Sequence, residues 1–378
     1  MAKTSYVPSA AKIKVVGLGG AGCNAVTRMV RENIRGVEFI AMNTDAQHLE
    51  ITEAPVRIQL GERCTRGLGA GGDHHVGAKA AEESKEEFKQ AMIGSDMVFI
   101  TAGMGGGSGT GAAPIVAELA KSLGALTIAV VTKPFSFEGI HRMEVAEEGI
   151  ASLVNKVDTL VIVPNDRLLQ LVDNKTGVDG AFRVADEILC NAVQAIAEVI
   201  TVPGMINLDF ADIRTIMKDA GPAWMSIGRG SGTNRAETAA KEALNSPLLD
   251  VSIEGATGVL FNVTGGSSLS LFEVNSAAEV IRRAVDPGAN IIFGVKLDAN
   301  MGNDVKLTLI ATGFQTKESL LGMGARDAQI NRILKGMKSE EELAVPSFMR
   351  RPNVIFGRRQ PVSTTRPQPL PAKPSVRY

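Results

Sequence analysis

Five short apolar runs recur along the first half of the chain: KIKVVGLG, VEFIAMN, DMVFITAG, LGALTIAVVT and DTLVIVP. They are rich in β-branched residues, and none alternates strictly between apolar and polar positions. Such runs suit strands buried on both faces, as in a parallel sheet with helices on each side. The segments between them carry apolar positions at helical spacing. A helix is predicted near Asn24–Glu32, a charged one near Val76–Met92, and another over AAPIVAELAKSL. This alternation predicts an α/β fold with a doubly wound, mainly parallel sheet.

A longer helical pattern covers Asp179–Ile200. Beyond it TVPGMINLDFADIR, broken by Pro203 and Gly204, reads as a loop. The texture then changes. Strand-like pieces (AWMSIGRG, TGVLFNVTGG, NIIFGVKLD, DVKLTLIATG) surround helices near Arg235–Asn245 and Leu271–Ala284. That predicts a smaller α+β domain ending near Phe314. The expected organisation is a disordered start (1–11), a first domain (12–178), a central helix (179–201) and a second domain (202–314). A charged linker (315–344), a short peptide (345–351) and a tail (352–378) follow.

At 378 residues the chain is long enough for two domains and a large core. Its 44% hydrophobic and 21% charged residues are those of an ordinary globular protein. No secretory leader opens it, and no apolar run approaches the roughly eighteen residues of a membrane helix. Cys23, Cys64 and Cys190 are scattered and odd in number, which predicts a reducing compartment, the cytoplasm. The net charge of −1 hides an asymmetry. Residues 346–378 hold seven Lys or Arg, seven Pro and no acid, which leaves about −8 on residues 1–345. An acidic body argues against nucleic acid as a partner. The basic tail suits an acidic partner, an anionic membrane surface, or simply a disordered soluble end.

One stretch carries chemistry. GMGGGSGTGAAP, Gly103–Pro114, has six glycines in its first nine residues and sits between a strand and a helix. Backbone N–H groups of such a turn point inward, and the helix N-terminus adds partial positive charge, so the combination binds phosphate. Ser108 and Thr110 add hydroxyls for phosphate or a Mg²⁺ shell. A second turn, GLGGAGCNA, contains Gly17-x-Gly19-x-x-Gly22, the dinucleotide fingerprint. It admits an NAD-dependent oxidoreductase, which also wants an acid ending the second strand. That strand ends Asn43-Thr44-Asp45, an ambiguous answer. Two phosphate-directed loops suit a nucleoside triphosphate better, and the absence of a Walker A sequence excludes an ordinary P-loop enzyme. Asp73-His74-His75 has metal-binding residue types, but neighbours at a helix start are expected to diverge, so no metal ligand is expected from side chains.

With NTDAQ, TKPFSFEG, NLDFADIR and the terminal VPSFMRR, the two glycine loops closely resemble the tubulin/FtsZ GTPase family. The resemblance runs from about Ile13 to Phe314, with a return at 345–351. It implies a tubulin-like GTP-binding domain joined by the central helix to a GTPase-activating domain. It implies GTP or GDP as ligand, with Mg²⁺ held mainly through the phosphates. The first turn would contribute Gly20, Ala21, Gly22, Cys23 and Asn24, where Ala21 and Cys23 depart from the family's glycines. The signature loop would contribute Gly105, Gly106, Gly107, Ser108 and Gly109, with Ser108 where threonine is usual. Glu138 and Arg142 resemble ribose and phosphate contacts, and Thr132 and Asn165 complete the set. Asp186 resembles the base-binding position. A carboxylate there accepts from guanine N1–H and the exocyclic amine, a donor pair adenine lacks. Phe182, one turn earlier, would stack on the base or belong to the core.

Asp209 and Asp212 read well as N-cap and third residue of a helix. The resemblance instead makes Asn207, Asp209 and Asp212 a catalytic loop. Fourteen helical residues separate Asp186 from Ile200, about 21 Å. Acids beyond that end would reach the γ-phosphate of a head-to-tail neighbour, not their own. The expectation is therefore a homopolymer whose GTPase depends on assembly, forming the division ring in the cytoplasm at mid-cell. A non-hydrolysing scaffold is the rival on the same fold. Val345, Pro346, Phe348, Met349 and Arg350 resemble the family's docking peptide for membrane tethers and division regulators.

Overall fold

The computed structural model describes residues 11–170, 177–201, 209–248, 253 and 255–314. Asn207 and the peptide Val345, Pro346, Phe348, Met349 and Arg350 lie outside these residues. Strands β1 (Ile13–Leu18), β2 (Val37–Asn43) and β3 (Val56–Gln59) alternate with helices α1 (Gly19–Arg31), α2 (Ala46–Glu50) and α3 (Glu62–Thr65). Then come α4 (His74–Glu83), α5 (Lys85–Met92), β4 (Met97–Gly103), α6 (Ser108–Ser122) and β5 (Leu126–Lys133). The chain continues through α7 (Ile140–Leu153), β6 (Thr159–Pro164), α8 (Asn165–Leu168), α9 (Val178–Thr201) and α10 (Phe210–Met217). It closes with β7 (Gly221–Gly230), α11 (Arg235–Leu244), β8 (Gly258–Gly265), α12 (Leu271–Ala284), β9 (Asn290–Leu297) and β10 (Val305–Thr312).

The ten described strands form one sheet in the order β3-β2-β1-β4-β5-β6-β7-β10-β8-β9. From β3 to β6 every pairing is parallel. The chain winds outward from β1 to β3, then returns to the other side of β1 as β4. Strands β1 and β4 thus flank the topological switch point, and ligands of such sheets bind beyond the carboxyl ends of the strands there. Both glycine-rich turns follow these two strands.

Helices cover both faces. On one, α1 and α9 share a core with the strands through Val26, Met29, Leu189, Val193 and Ile196. On the other, α4 to α7 pack through Ala80, Phe88, Val116 and Ile150. So α1 and α6 start at the same crevice from opposite faces. Helix α9 spans 24 residues, about 36 Å. Its core also includes Leu260, Ile292 and Ile310 from the second half of the sheet. Leu189, Val193 and Ile196 are fully buried and contribute about 2 kcal/mol each by transfer from water.

Strand β7 joins the halves. Gly221–Ala223 pair parallel with β6, and Trp224–Gly230 pair antiparallel with β10. The smaller region therefore extends the first sheet instead of forming its own. Its private core lies where α11 and α12 cover β8 and β10 with Ala239, Ile281, Phe261 and Leu307.

Two local expectations are corrected. The first helix begins at Gly19, not near Asn24, because the glycine turn is itself helical. The charged helix expected over Val76–Met92 is two helices that meet at Ser84. The Ser84 hydroxyl accepts from Gly61 N–H at 2.9 Å and donates to the Gln59 carbonyl at 3.3 Å, which ties the junction to the end of β3. Strand β3, with α2 and α3, is too short for periodicity to reveal. Among the described residues no helix is long and apolar enough to cross a membrane.

Candidate nucleotide site

The first-turn N–H groups of a helix have no intrahelical partner and are ordinarily met by a side chain of the N-cap. Asp45, Asp73, Asp209 and Ser270 do this for α2, α4, α10 and α12. Leu18 and Gly107, the N-caps of α1 and α6, do not. The N-caps of α3, α5, α7, α8 and α11 do not either, but α1 and α6 are the pair that starts at the β1–β4 switch point. Their free donors and positive ends converge on one cleft of about 400 Å³.

Thirteen of the sixteen residues expected around a nucleotide line this cleft: Gly20, Ala21, Asn24, Gly106, Gly107, Ser108, Gly109, Thr132, Glu138, Arg142, Asn165, Phe182 and Asp186. Three do not. Cys23 is buried on the inward side of α1, with Sγ 3.8 Å from the Met42 carbonyl oxygen. Gly22 packs so closely on β4 that a Cβ would lie 2.4 Å from the Thr101 carbonyl oxygen. Both corrections follow from the early start of α1, which turns these positions toward the sheet. Gly105, at φ +96°, shapes the loop by packing against the Arg142 carbonyl oxygen, 2.6 Å from where a Cβ would stand. Leu18, Gly19, Gly103, Met104, Pro134, Ala185 and Leu189 also line the cleft and were not foreseen. Helical spacing from Phe182 and Asp186 could have found Ala185 and Leu189.

At the α6 end, Ser108 Oγ and Thr44 Oγ1 are 2.5 Å apart, and Gly105 N–H donates to Thr110 Oγ1 at 2.9 Å. These bonds fix the loop before any ligand arrives. Gly106 stands free: a Cβ there would meet nothing within 4 Å. Its constraint must come from what enters the cleft.

At the α9 end, burial pushes the Asp186 carboxyl up to about 7, against the pull of the nearby Arg28 charge. The Asn165 side chain is buried, and its Oδ1 has no hydrogen-bond partner within the chain. Phe182 is 39% exposed and stands edge-on to Phe135, ring centres 5.4 Å apart. Its face is thus available to a flat ring. Glu138 accepts from Phe135 N–H at 2.8 Å and pairs with Arg142, which holds its carboxylate at the rim.

Asp209 and Asp212 do not line the cleft. Asp209 caps α10 by accepting Asp212 N–H at 2.9 Å, and both acids are exposed. The capping role read from the sequence is thus present, and it leaves the Asp212 carboxylate free of that bond. Asp45 caps α2 by accepting His48 N–H at 3.1 Å and lies outside the cleft. The acid that ends the second strand is thus engaged as a helix cap, which counts against the oxidoreductase reading. Asp73, His74 and His75, expected to diverge, instead converge.

Residues 12–173 match the Tubulin/FtsZ family GTPase domain, and residues 221–315 match the FtsZ family C-terminal domain. An empty FtsZ dimer from M. jannaschii is 50% identical, with TM-score 0.79, over 81% of this chain and 89% of that one. The chain belongs to the FtsZ family of tubulin-like GTPases. Two CetZ structures from Haloferax volcanii share the fold at lower identity. CetZ2, in a GTPγS-bound protofilament, is 20% identical, with TM-score 0.68, over 85% of this chain and 99% of its own. CetZ1, a GDP-bound monomer, is 23% identical, with TM-score 0.70, over 84% and 99%. With membership comes the activity: the chain is a GTPase.

Two predictions test the cleft. Gly106→Ala should leave the melting temperature of the nucleotide-free protein unchanged and weaken GDP binding at least tenfold, because its methyl meets only the ligand. Gly105→Ala should lower the melting temperature, since it forces a side chain to φ +96°. Equal GDP affinity for Gly106→Ala and the parent would remove the loop from the phosphate site. Second, a guanine bound beside Asp186 would donate to it only when the carboxyl is ionised. From a value near 7, the ionised fraction rises about tenfold between pH 6 and 8, and GDP affinity should rise with it. In the free protein the sign is opposite: ionising this carboxyl costs more folded than unfolded, so stability falls as pH rises from about 4 to 7. Asp186→Asn should flatten both profiles and shift preference toward xanthine, whose C2 carbonyl accepts from the new amide. Isothermal titration of GDP and xanthosine diphosphate across pH checks this.

Proposed function

We propose that the chain assembles head to tail into filaments that form the division ring, and that each GTP is hydrolysed between two subunits. The observation that carries this reading is the unbroken run of α9. Asp186 stands in the cleft near its start, and Asp209 and Asp212 lie beyond its far end, outside the cleft and exposed. About 22 Å of helix separates Asp186 from Thr201. No side-chain rotation closes such a gap. A second copy stacked on the cleft would supply the acids, and a head-to-tail contact that does not close makes a filament. The dimer formed by M. jannaschii FtsZ and the protofilament formed by CetZ2 support self-association of this kind.

In this mechanism Asp212 of one subunit polarises the water that attacks the γ-phosphate held by the next. Asp209 keeps α10 capped and adds negative charge beside that water, and Asn207 orients it. The loop amides from Gly106 to Gly109 and the guanidinium of Arg142 stabilise the charge that spreads over the phosphate oxygens. The cleft fits a Mg²⁺ ion that takes most of its oxygens from phosphates and water. Of the carboxylates lining it, Glu138 is paired with Arg142 and Asp186 stands at the base end, which leaves the Ser108 hydroxyl as the ligand nearest the phosphates. Bound there, the ion would neutralise phosphate charge. Loss of the γ-phosphate then weakens the contact and lets filaments turn over. The segment 345–351 docks membrane tethers and division regulators, which places the filament at mid-cell in the cytoplasm.

Asp212→Ala separates the parts. It should bind GTP as the parent does and hydrolyse it at least a hundredfold more slowly under assembling conditions. Mixed into parent protein, it should lower activity in proportion to the interfaces it occupies. Undiminished hydrolysis by Asp212→Ala would contradict the shared site.

A further inference from the structure

His74 and His75 open α4, and Asp73 precedes it with an extended backbone (φ −84°, ψ 113°). Asp73 Oδ1 accepts His75 N–H at 2.8 Å. This cap folds the carboxylate back over the first helical turn, where it meets the two imidazoles that follow. The rings lie 4.1 Å apart at 37°. One carboxylate oxygen and one nitrogen from each ring fall within 4.8 Å of one another. A fourth group comes from another helix: Glu148 Oε2 on α7 is 3.6 Å from His74 Nε2.

Two imidazoles and a carboxylate within reach of one point, with a second carboxylate beside His74, are the donor set of a borderline divalent cation such as zinc. Magnesium and calcium prefer oxygen alone. Tetrahedral zinc holds its ligands at about 2 Å, hence about 3.3 Å from one another. His75 and Glu148 are exposed, so side-chain rotation can close the remaining distance without moving the backbone. The positive end of α4 opposes a cation, and the two carboxylates offset it. We propose that Asp73, His74, His75 and Glu148 form a site for a zinc-class divalent cation that bridges α4 to α7.

The position gives the site a consequence. The first turn of α4 rests directly on that of α6: a Cβ at Gly111 would lie 2.1 Å from the His74 carbonyl oxygen, and one at Gly77 would lie 2.1 Å from that of Gly107. Helix α7 presses on the same turn through Gly149 against Thr110. A cation held by α4 and α7 therefore clamps the start of α6, the helix that carries the phosphate loop.

Zinc binding to the full chain, loaded with GDP and excess Mg²⁺, is measured by competition with a chromophoric chelator. The account expects one zinc per chain at micromolar affinity. His75→Ala and Glu148→Gln should each weaken it at least tenfold, with Mg²⁺-supported GTP hydrolysis unchanged. The chain has four histidines in all, which keeps competing sites few. No binding in the micromolar range, or unchanged affinity in His75→Ala, would overturn the site. Unchanged affinity in Glu148→Gln alone would overturn the bridge between helices.

Discussion

Two of the helices that have no N-cap side chain for their first N–H groups start at one place on the sheet. Helix α1 follows Leu18 and α6 follows Gly107, and they approach the β1–β4 switch point from opposite faces of the sheet. Two positive helix ends at one place repel each other, and their donors must find water or an anion. A polyphosphate relieves both problems at once. The glycines follow from this demand, since bulkier residues would hold ligand and loop apart. The remaining cleft runs toward α9, where Phe182, Asp186 and Asn165 line it.

Helix α9 imposes the second constraint. It is packed along its length by residues from both halves of the sheet, so it behaves as one rigid rod. One end carries the cleft-lining carboxylate of Asp186 and the other leads toward α10 and its acids. Strand β7 strengthens the connection by pairing with β6 and β10 in turn. Whatever a neighbouring subunit presses on at α10 is therefore mechanically joined to the cleft. In the proposed filament, contact and chemistry share one frame.

Much of this was legible in the sequence, for physical reasons. Strands buried on both faces leave apolar runs such as VVGLG and DMVFITAG that no helix pattern imitates. The loop around Gly106 shows itself because few other demands put so many glycines between a strand and a helix. The misreadings have causes too. A helix whose first residues are glycine and alanine looks like a turn, so the pattern starts α1 late and does not show that the Cys23 side chain faces the core. Gly105 lies within the signature loop yet serves its shape, which only its packing against Arg142 reveals. The double pairing of β7 hides in Gly221-Pro222, a local signal for a break. Asp73, His74 and His75 meet because a cap folds back one side chain, and residue spacing carries no trace of that.

The central claim is that one active site needs two chains. Phosphate release from GTP with Mg²⁺, measured as protein concentration rises, tests it most directly. The account predicts a rate per subunit near zero below a threshold concentration and a steep rise above it. A rate per subunit that stays constant from dilute to concentrated protein would place the whole active site within a single chain and contradict the role given to Asp209 and Asp212.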